Sequence, residues 1–546
     1  MAAKERTLRQ KIGQTMMFGF HGTDPTPEIT TLIRDHHVGG VILFARNIAE
    51  PKEVLRLTVA LQKIAYEAGH ELPLLISIDQ ENGIVRRLGA GTTLLPGNMA
   101  LGAAGDTSLV KATAEATGRE LKALGINYNL APVLDVNNNP HNPVIGVRSY
   151  GEDPQFVAAC AAAAIHGFQE AGVATCGKHF PGHGDTSKDS HLTLPMIPHR
   201  RERLEQVELV PFVKAIAEGV DSMMIAHVCF PEIEPDRSLP ATLSRRVVTD
   251  LLRDELGFEG VITTDCMEMK AIADSPGTVE GTYRAFQAGI DLLFISHTCE
   301  WQLGAIERLA AGLEAGDTPL ERLEEAYGRI RKLKQKYLSW DEITPYFAQQ
   351  DPEPDALVGG AEHERLARVT LTKNEAGLLP LTVSTDQTIA VVCLTNTMTS
   401  LVEDERYLIN PLQRAVEAAH GNTRCLEVNN PPTASDIEQV LGQLTGCAAV
   451  IIGTMNAHLA PGQAELVNRL NGSGLPLVVI SMRTPYDLAV FPEVATHIAA
   501  YEFTPAALEI AVEAVFGKRE LQGRLPVTIP GAAARGHRAH SRGEGR

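Results

Sequence analysis

The chain has 546 residues, 44 % of them hydrophobic and 21 % charged, with a formal net charge of −18. This is globular composition, which excludes a chain disordered along its length. The negative balance argues against nucleic acid or an anionic membrane surface as partner, because both are held by clustered Lys and Arg.

Length alone suggests about three ordinary domains, but an α/β barrel of roughly 250 residues or more counts as one. The first residues, MAAKERTLRQKIGQTMM, have no apolar signal core and no small-residue cleavage site, so a cytoplasmic protein is expected. No stretch reaches the roughly 18 apolar residues of a membrane span, and FVAACAAAAIHGF reads as a buried helix. The eight cysteines form no CxxC pair, which favours reduced thiols over a disulfide framework or a zinc ribbon.

Eight short apolar runs follow one another, each trailed by an amphipathic helical stretch: QTMMFGF, GGVILF, PLLISID, YNLAPVLDV, ATCGKHF, SMMIAHV, GVITTD and DLLFIS. Near-continuous apolar strands alternating with helices predict a parallel sheet covered by helices. Eight such units predict a closed (β/α)₈ barrel over residues 1–338. Around SWDEITPYFAQQDPEPDALVGG the pattern breaks, predicting a linker over 339–361 that lies on the barrel surface. Runs IAVVCLT, AAVIIGT, PLVVISM and HIAAYE then predict an open α/β sandwich over 362–530. The tail, 531–546, is Gly, Arg and Ser without apolar periodicity and is expected to be disordered.

Polar residues end several of the barrel strands: Asp79, Asp135, Lys178 with His179, His227 and Asp265. Barrel active sites sit at that rim, so convergence there predicts a site. After the fifth strand comes GKHFPGHGDTSKDSHLTLP, in which Gly182 and Gly184 flank His183 and predict irregular backbone. His191 follows Asp189 by two residues, near enough for the carboxylate to accept a ring N–H and leave the other nitrogen free for proton transfer. Two other readings stay open. His183 can simply shape the turn, and His179, His183, Asp185 and His191 could together hold a metal, although they lack a fixed helical spacing. Asp265 is the candidate nucleophile; its rival role is capping the helix that follows.

Taken together, KHFPGHGDTSKDSHLTLP, IDQENG, APVLDVNNNPHNPVIGVRSYGEDP and VITTDCMEM resemble glycoside hydrolase family 3, in the family's order. Within it they are similar to the β-N-acetylglucosaminidase branch. LTKNEAGLLPL, SMRTPYDLAVFP and GRLPVTIPG resemble the family's C-terminal domain more loosely. Three positions depart from the usual pattern: Ile84 replaces an Arg, and Thr263 and Thr264 precede the nucleophile.

The resemblance implies Asp265 as nucleophile, His191 as proton donor with Asp189 as its partner, and sugar contacts from Asp79, Arg87, Arg148, Lys178 and His179. It implies a retaining exo-β-N-acetylglucosaminidase acting on a carbohydrate such as a peptidoglycan fragment, with no cofactor and no metal. Oligomeric state is not specified. The alternatives are a phosphorylase or β-glucosidase of the same family, a metal-dependent amidohydrolase, and a silent sugar-binding sensor.

Overall fold

This computed structural model describes residues 6–187, 194–349, 351–355, 357, 366, 368–375, 377–395 and 411–540. The first half carries β1 (Met16–Phe18), β2 (Gly40–Leu43), β3 (Leu75–Ile78), a hairpin of β4 (Gln80–Asn82) and β5 (Val85–Arg86), β6 (Tyr128–Asn129), β7 (Ala174–Phe180), β8 (Ser222–Ile225), β9 (Val261–Thr264) and β10 (Leu293–Ile295). Each of the eight apolar runs contains one barrel strand. All ladders between them are parallel, in the order β10-β1-β2-β3-β6-β7-β8-β9. The ring closes through a parallel bridge between Thr263 and Leu292, where Thr264 N donates to the Leu292 carbonyl at 3.2 Å.

Alternation along each strand sorts the apolar side chains into two layers. Met17, Leu75, Tyr128, Cys176, Met224 and Phe294 fill the barrel, while Met16, Phe18, Ile76 and Ile78 face the surrounding helices. Helix Leu320–Tyr337 lends Ile330 and Leu333 to the inner cluster. Helix starts follow local chemistry: Asp153 accepts from Phe156 N ahead of Pro154–Glu170, with Pro at the first position.

Beyond the barrel, Trp340 stacks edge-on against Tyr66 and its indole N–H donates to the His70 and Glu71 carbonyls at 3.2 Å each, holding the chain on the barrel surface. A second sheet then forms from β11 (Thr370–Asn374), β12 (Thr388–Leu394), β13 (Thr423–Val428), β14 (Cys447–Thr454), β15 (Leu477–Ser481) and β16 (Thr496–Ala499), ordered β11-β16-β15-β14-β12-β13. Within this sheet, among the described residues, only the β11–β16 ladder is antiparallel.

The expected disorder of the tail is corrected for residues 531–540. Ile529 and Ala533 form an antiparallel bridge, Ala539 N donates to the Leu371 carbonyl at 2.8 Å, and His537 Nε2 donates to the Thr372 carbonyl at 2.9 Å. Backbone hydrogen bonds to the edge strand β11 order a segment that has little apolar content of its own.

The second unit leans on the loops of the barrel rim. Glu502 accepts from Gly97 N at 2.8 Å, Asn137 donates to the Tyr486 hydroxyl at 3.2 Å, and His458 Nε2 donates to the Pro140 carbonyl at 2.9 Å while its Nδ1 meets Asp487 at 2.9 Å. Gly83 and Gly97 allow this approach: a Cβ added at either would lie within 3.3 Å of the Glu502 carboxylate.

Candidate active site

The strand-end residues Asp79, Asp135, Lys178 and His179 form one network with Glu81 and Arg148. Lys178, inside β7, places Nζ 2.7 Å from Asp79 Oδ1 and 2.7 Å from Glu81 Oε1. Arg148, on the 3₁₀ turn Gly146–Arg148, grips the same Glu81 carboxylate with Nη2 to Oε1 at 2.8 Å and Nε to Oε2 at 2.9 Å. Its Nη2 also lies 3.3 Å from His179 Nε2. Because a guanidinium only donates, Nε2 of that ring is the acceptor and the proton sits on Nδ1, which donates to Asp135 Oδ2 at 2.7 Å. Arg87 lies farther out, with Nη2 3.8 Å from Asp79 Oδ2. Acidic and basic groups alternate through the cluster, so each charge faces an opposite one.

Burial and charge compete at Glu81, Asp135 and Lys178, and charge wins. Burial would raise the Glu81 carboxyl, but Arg148 and Lys178 overcome it and hold the group well below the usual carboxylate range. Asp135, also buried, is held down by His179 and His183. Lys178 is raised despite burial, because Asp79 and Glu81 face it. Asp79 remains the most open member, with 14 % of its side chain exposed. It can accept sugar hydroxyls while Lys178 holds it in place.

The glycines of the loop after β7 work as expected. Gly182 has φ +127°, and a Cβ on Gly184 would lie 1.7 Å from the Val136 carbonyl. That approach brings His183 N to within 2.6 Å of Asp135 Oδ1 and its ring to the Thr186 hydroxyl at 3.0 Å. Asn142 braces the turn by donating to the His183 and Gly184 carbonyls at 2.9 and 2.8 Å. With Asp135 on Nδ1 of His179 and Arg148 against its Nε2, that ring is poorly suited to bind a metal. Asp189 and His191 lie outside the described residues.

Burial pushes the His183 imidazole down to about 4, with His179 adding to the effect. Burial likewise takes His497 to about 4 and His70 to about 3. An unfolded histidine gains its proton near pH 6.5, whereas these folded ones resist it, so the unfolded chain binds more protons in between. Stability therefore falls as pH drops from about 6.5 towards 4, each group costing roughly 2 kcal/mol by pH 5. Urea midpoints at pH 7, 6 and 5 should decline in step. A midpoint that stays constant over that range would contradict neutral burial of the three rings.

Asp265 stands one residue past β9. The next helix begins only at Lys270, with Met269 at its N-cap position, so Asp265 does not cap it. Its Oδ1 accepts from Cys266 N at 2.7 Å. Nearby, His227 donates through Nε2 to the Cys266 carbonyl at 3.0 Å and meets Thr242 at 2.7 Å.

Glu81 is the residue that sequence reasoning passed over, although it lies within the IDQENG motif. A second carboxylate two residues after Asp79 was the available signal.

Residues 7–333 match the Glycosyl hydrolase family 3 N terminal domain and residues 369–544 match the Glycosyl hydrolase family 3 C-terminal domain. The chain belongs to glycoside hydrolase family 3. This family 3 chain is similar to Beta-hexosaminidase A of Pseudoalteromonas piscicida, with 31 % identity over 96 % of this chain and 97 % of that one. It is 35 % identical to a Beta-hexosaminidase of Alkalilimnicola ehrlichii, covering 62 % of this chain and 97 % of the relative. Among solved structures it resembles a glycoside hydrolase family 3 beta-N-acetylglucosaminidase from Paenibacillus sp. str. FPU-7. There the TM-score is 0.89 at 42 % identity, over 96 % of this chain and 99 % of the other. The family 3 protein is thus a glycoside hydrolase. No helix among its described residues is long and apolar enough to cross a membrane.

Proposed function

We propose that the chain is a retaining exo-β-N-acetylglucosaminidase that removes terminal non-reducing N-acetylglucosamine from peptidoglycan fragments in the cytoplasm. One observation carries this reading: Asp265, which does not cap the helix that follows, sits on the barrel rim that also holds the Asp79–Lys178–Glu81–Arg148–His179 network. The names of the Paenibacillus, Pseudoalteromonas and Alkalilimnicola relatives support the choice of sugar.

In the first half-reaction an Asp265 oxygen attacks the anomeric carbon as the bond to the leaving oxygen breaks, and His191 gives that oxygen its proton. In the second, His191 takes a proton from water, which attacks the same carbon and frees the Asp265 carboxylate, with net retention. Asp189 orients the imidazole, whose ordinary pKa near 6.5 suits acid and base duty around neutral pH. Asp79, Arg87, Arg148, Lys178 and His179 bind the sugar hydroxyls, through charge-assisted hydrogen bonds where they carry charge.

The test is turnover of 4-nitrophenyl N-acetyl-β-glucosaminide beside the plain β-glucoside, with chelator and with phosphate as separate arms. The N-acetylglucosaminide should be cleaved faster, with free sugar as product in both arms. Preference for the glucoside would overturn the substrate reading. Sugar 1-phosphate formed in phosphate would make the chain a phosphorylase, and loss of turnover in chelator would favour the amidohydrolase reading.

A further inference from the structure

Away from Asp265, three side chains meet at the base of the loop that follows β7. They are Asp185 on that loop, His199, six residues past the segment 188–193, and Glu208, which precedes helix Val210–Ala217. A ligand atom from each lies within 4.8 Å of the others, and His199 Nε2 is 2.5 Å from Asp185 Oδ2. Glu208 is buried, with 2 % of its side chain exposed. Its Oε1 accepts from Asn138 Nδ2 at 2.8 Å and lies 3.4 Å from an Arg203 nitrogen. Its Oε2 is buried with no hydrogen-bond partner among the described residues, and so is Asn138 Oδ1. A carboxylate oxygen removed from water without a donor is costly, and one left so in a folded protein calls for an explanation.

We propose that Asp185, His199 and Glu208 form a binding site for a divalent transition-metal cation of the Zn²⁺ class. The cation answers the Glu208 orphan directly, and Asn138 Oδ1 offers an acceptor to a metal-bound water. One imidazole with two carboxylates and no thiolate suits a borderline cation. Ca²⁺ would want six or more oxygen ligands. Ligand–metal distances of about 2.0–2.2 Å require the three groups to draw closer than they stand now. The movable partners are Asp185 and His199, which are 21 % and 31 % exposed, and that exposure also gives the ion a way in. Arg203 is 42 % exposed and can turn outward when the dication takes over its charge. Bound there, the ion ties Asp185, which precedes segment 188–193, to His199 and Glu208, which follow it.

A rival cluster, Cys266, Glu268 and His297, has similar spacing but lacks the orphan. Glu268 Oε2 already accepts from Ser296 N and His297 N, and burial pushes the Cys266 thiol up to about 12, so a thiolate does not form readily.

The experiment is calorimetric titration of the full, chelator-treated chain with Zn²⁺ at pH 7, with thermal melting in parallel. One equivalent should bind and raise the melting temperature. His199→Ala and Asp185→Asn, both at partly exposed positions and expected to fold, should each weaken binding by about tenfold or more. Glu208→Gln should do the same where its melt shows it folded, and His297→Ala should leave binding intact. No Zn²⁺ uptake by the wild-type chain, or uptake that His199→Ala and Asp185→Asn leave unchanged, would overturn the proposal.

Discussion

Replacing Asp265 by Asn removes glycoside cleavage, with kcat falling by roughly 10⁴-fold or more on every substrate. An amide matches the carboxylate in shape but cannot attack the anomeric carbon to form an ester. Asp265 accepts from Cys266 N at the end of β9, and the amide oxygen can take over that bond. Folding should therefore be nearly unchanged, which separates a catalytic loss from a structural one. Melting temperature and activity are measured on the same preparation. A loss of less than about tenfold, worth some 1.4 kcal/mol of barrier, would remove Asp265 from the role of nucleophile.

Glu81→Gln has the largest expected effect on stability. The Glu81 carboxylate receives Lys178 Nζ and two guanidinium nitrogens of Arg148, and all three side chains are nearly fully buried. Neutralising it leaves two buried cations sharing the remaining carboxylates. Breaking a buried pair in this way costs roughly 3–5 kcal/mol, even where the intact pair adds little over a hydrophobic replacement. For a unit of this size the melting temperature should fall on the order of 10 °C. The same arrangement predicts the pH response. With its carboxyl held low, Glu81 contributes stability that is present above the unfolded value near 4.5 and is lost as pH falls below it. A loss under about 1 kcal/mol in urea unfolding would mean that the network relaxes around the change.

Much of this was legible in the chain. The barrel strands lie within apolar runs because parallel strands buried on both faces cannot carry polar alternation. Two strands of the second sheet escaped detection for the opposite reason. Thr423–Val428 reads TRCLEV, a half-exposed edge with Arg and Glu facing outward, and Thr370–Asn374 reads TLTKN, the antiparallel edge. Edge strands are shaped by neighbours that a local window does not see.

At the site, the charged residues at strand ends announced a rim but not how they pair. Glu81 was hidden because its partners Lys178 and Arg148 are about 100 and 70 residues away along the chain. The contacts of Glu502, Tyr486 and His458 with rim loops were equally out of reach, since each depends on how a second sheet docks. The tail misled through its composition: its order comes from backbone bonds to β11, which no side chain advertises.

The central claim is that Asp265 becomes covalently attached to the sugar. The most direct measurement is peptide mass mapping after brief incubation with an activated fluoro-sugar analogue of N-acetylglucosamine, which slows the second half-reaction more than the first. A single glycosyl adduct on the peptide containing Asp265, absent in Asp265→Asn, is the expected result. An adduct on another carboxylate, or full inactivation with no adduct at all, would contradict it.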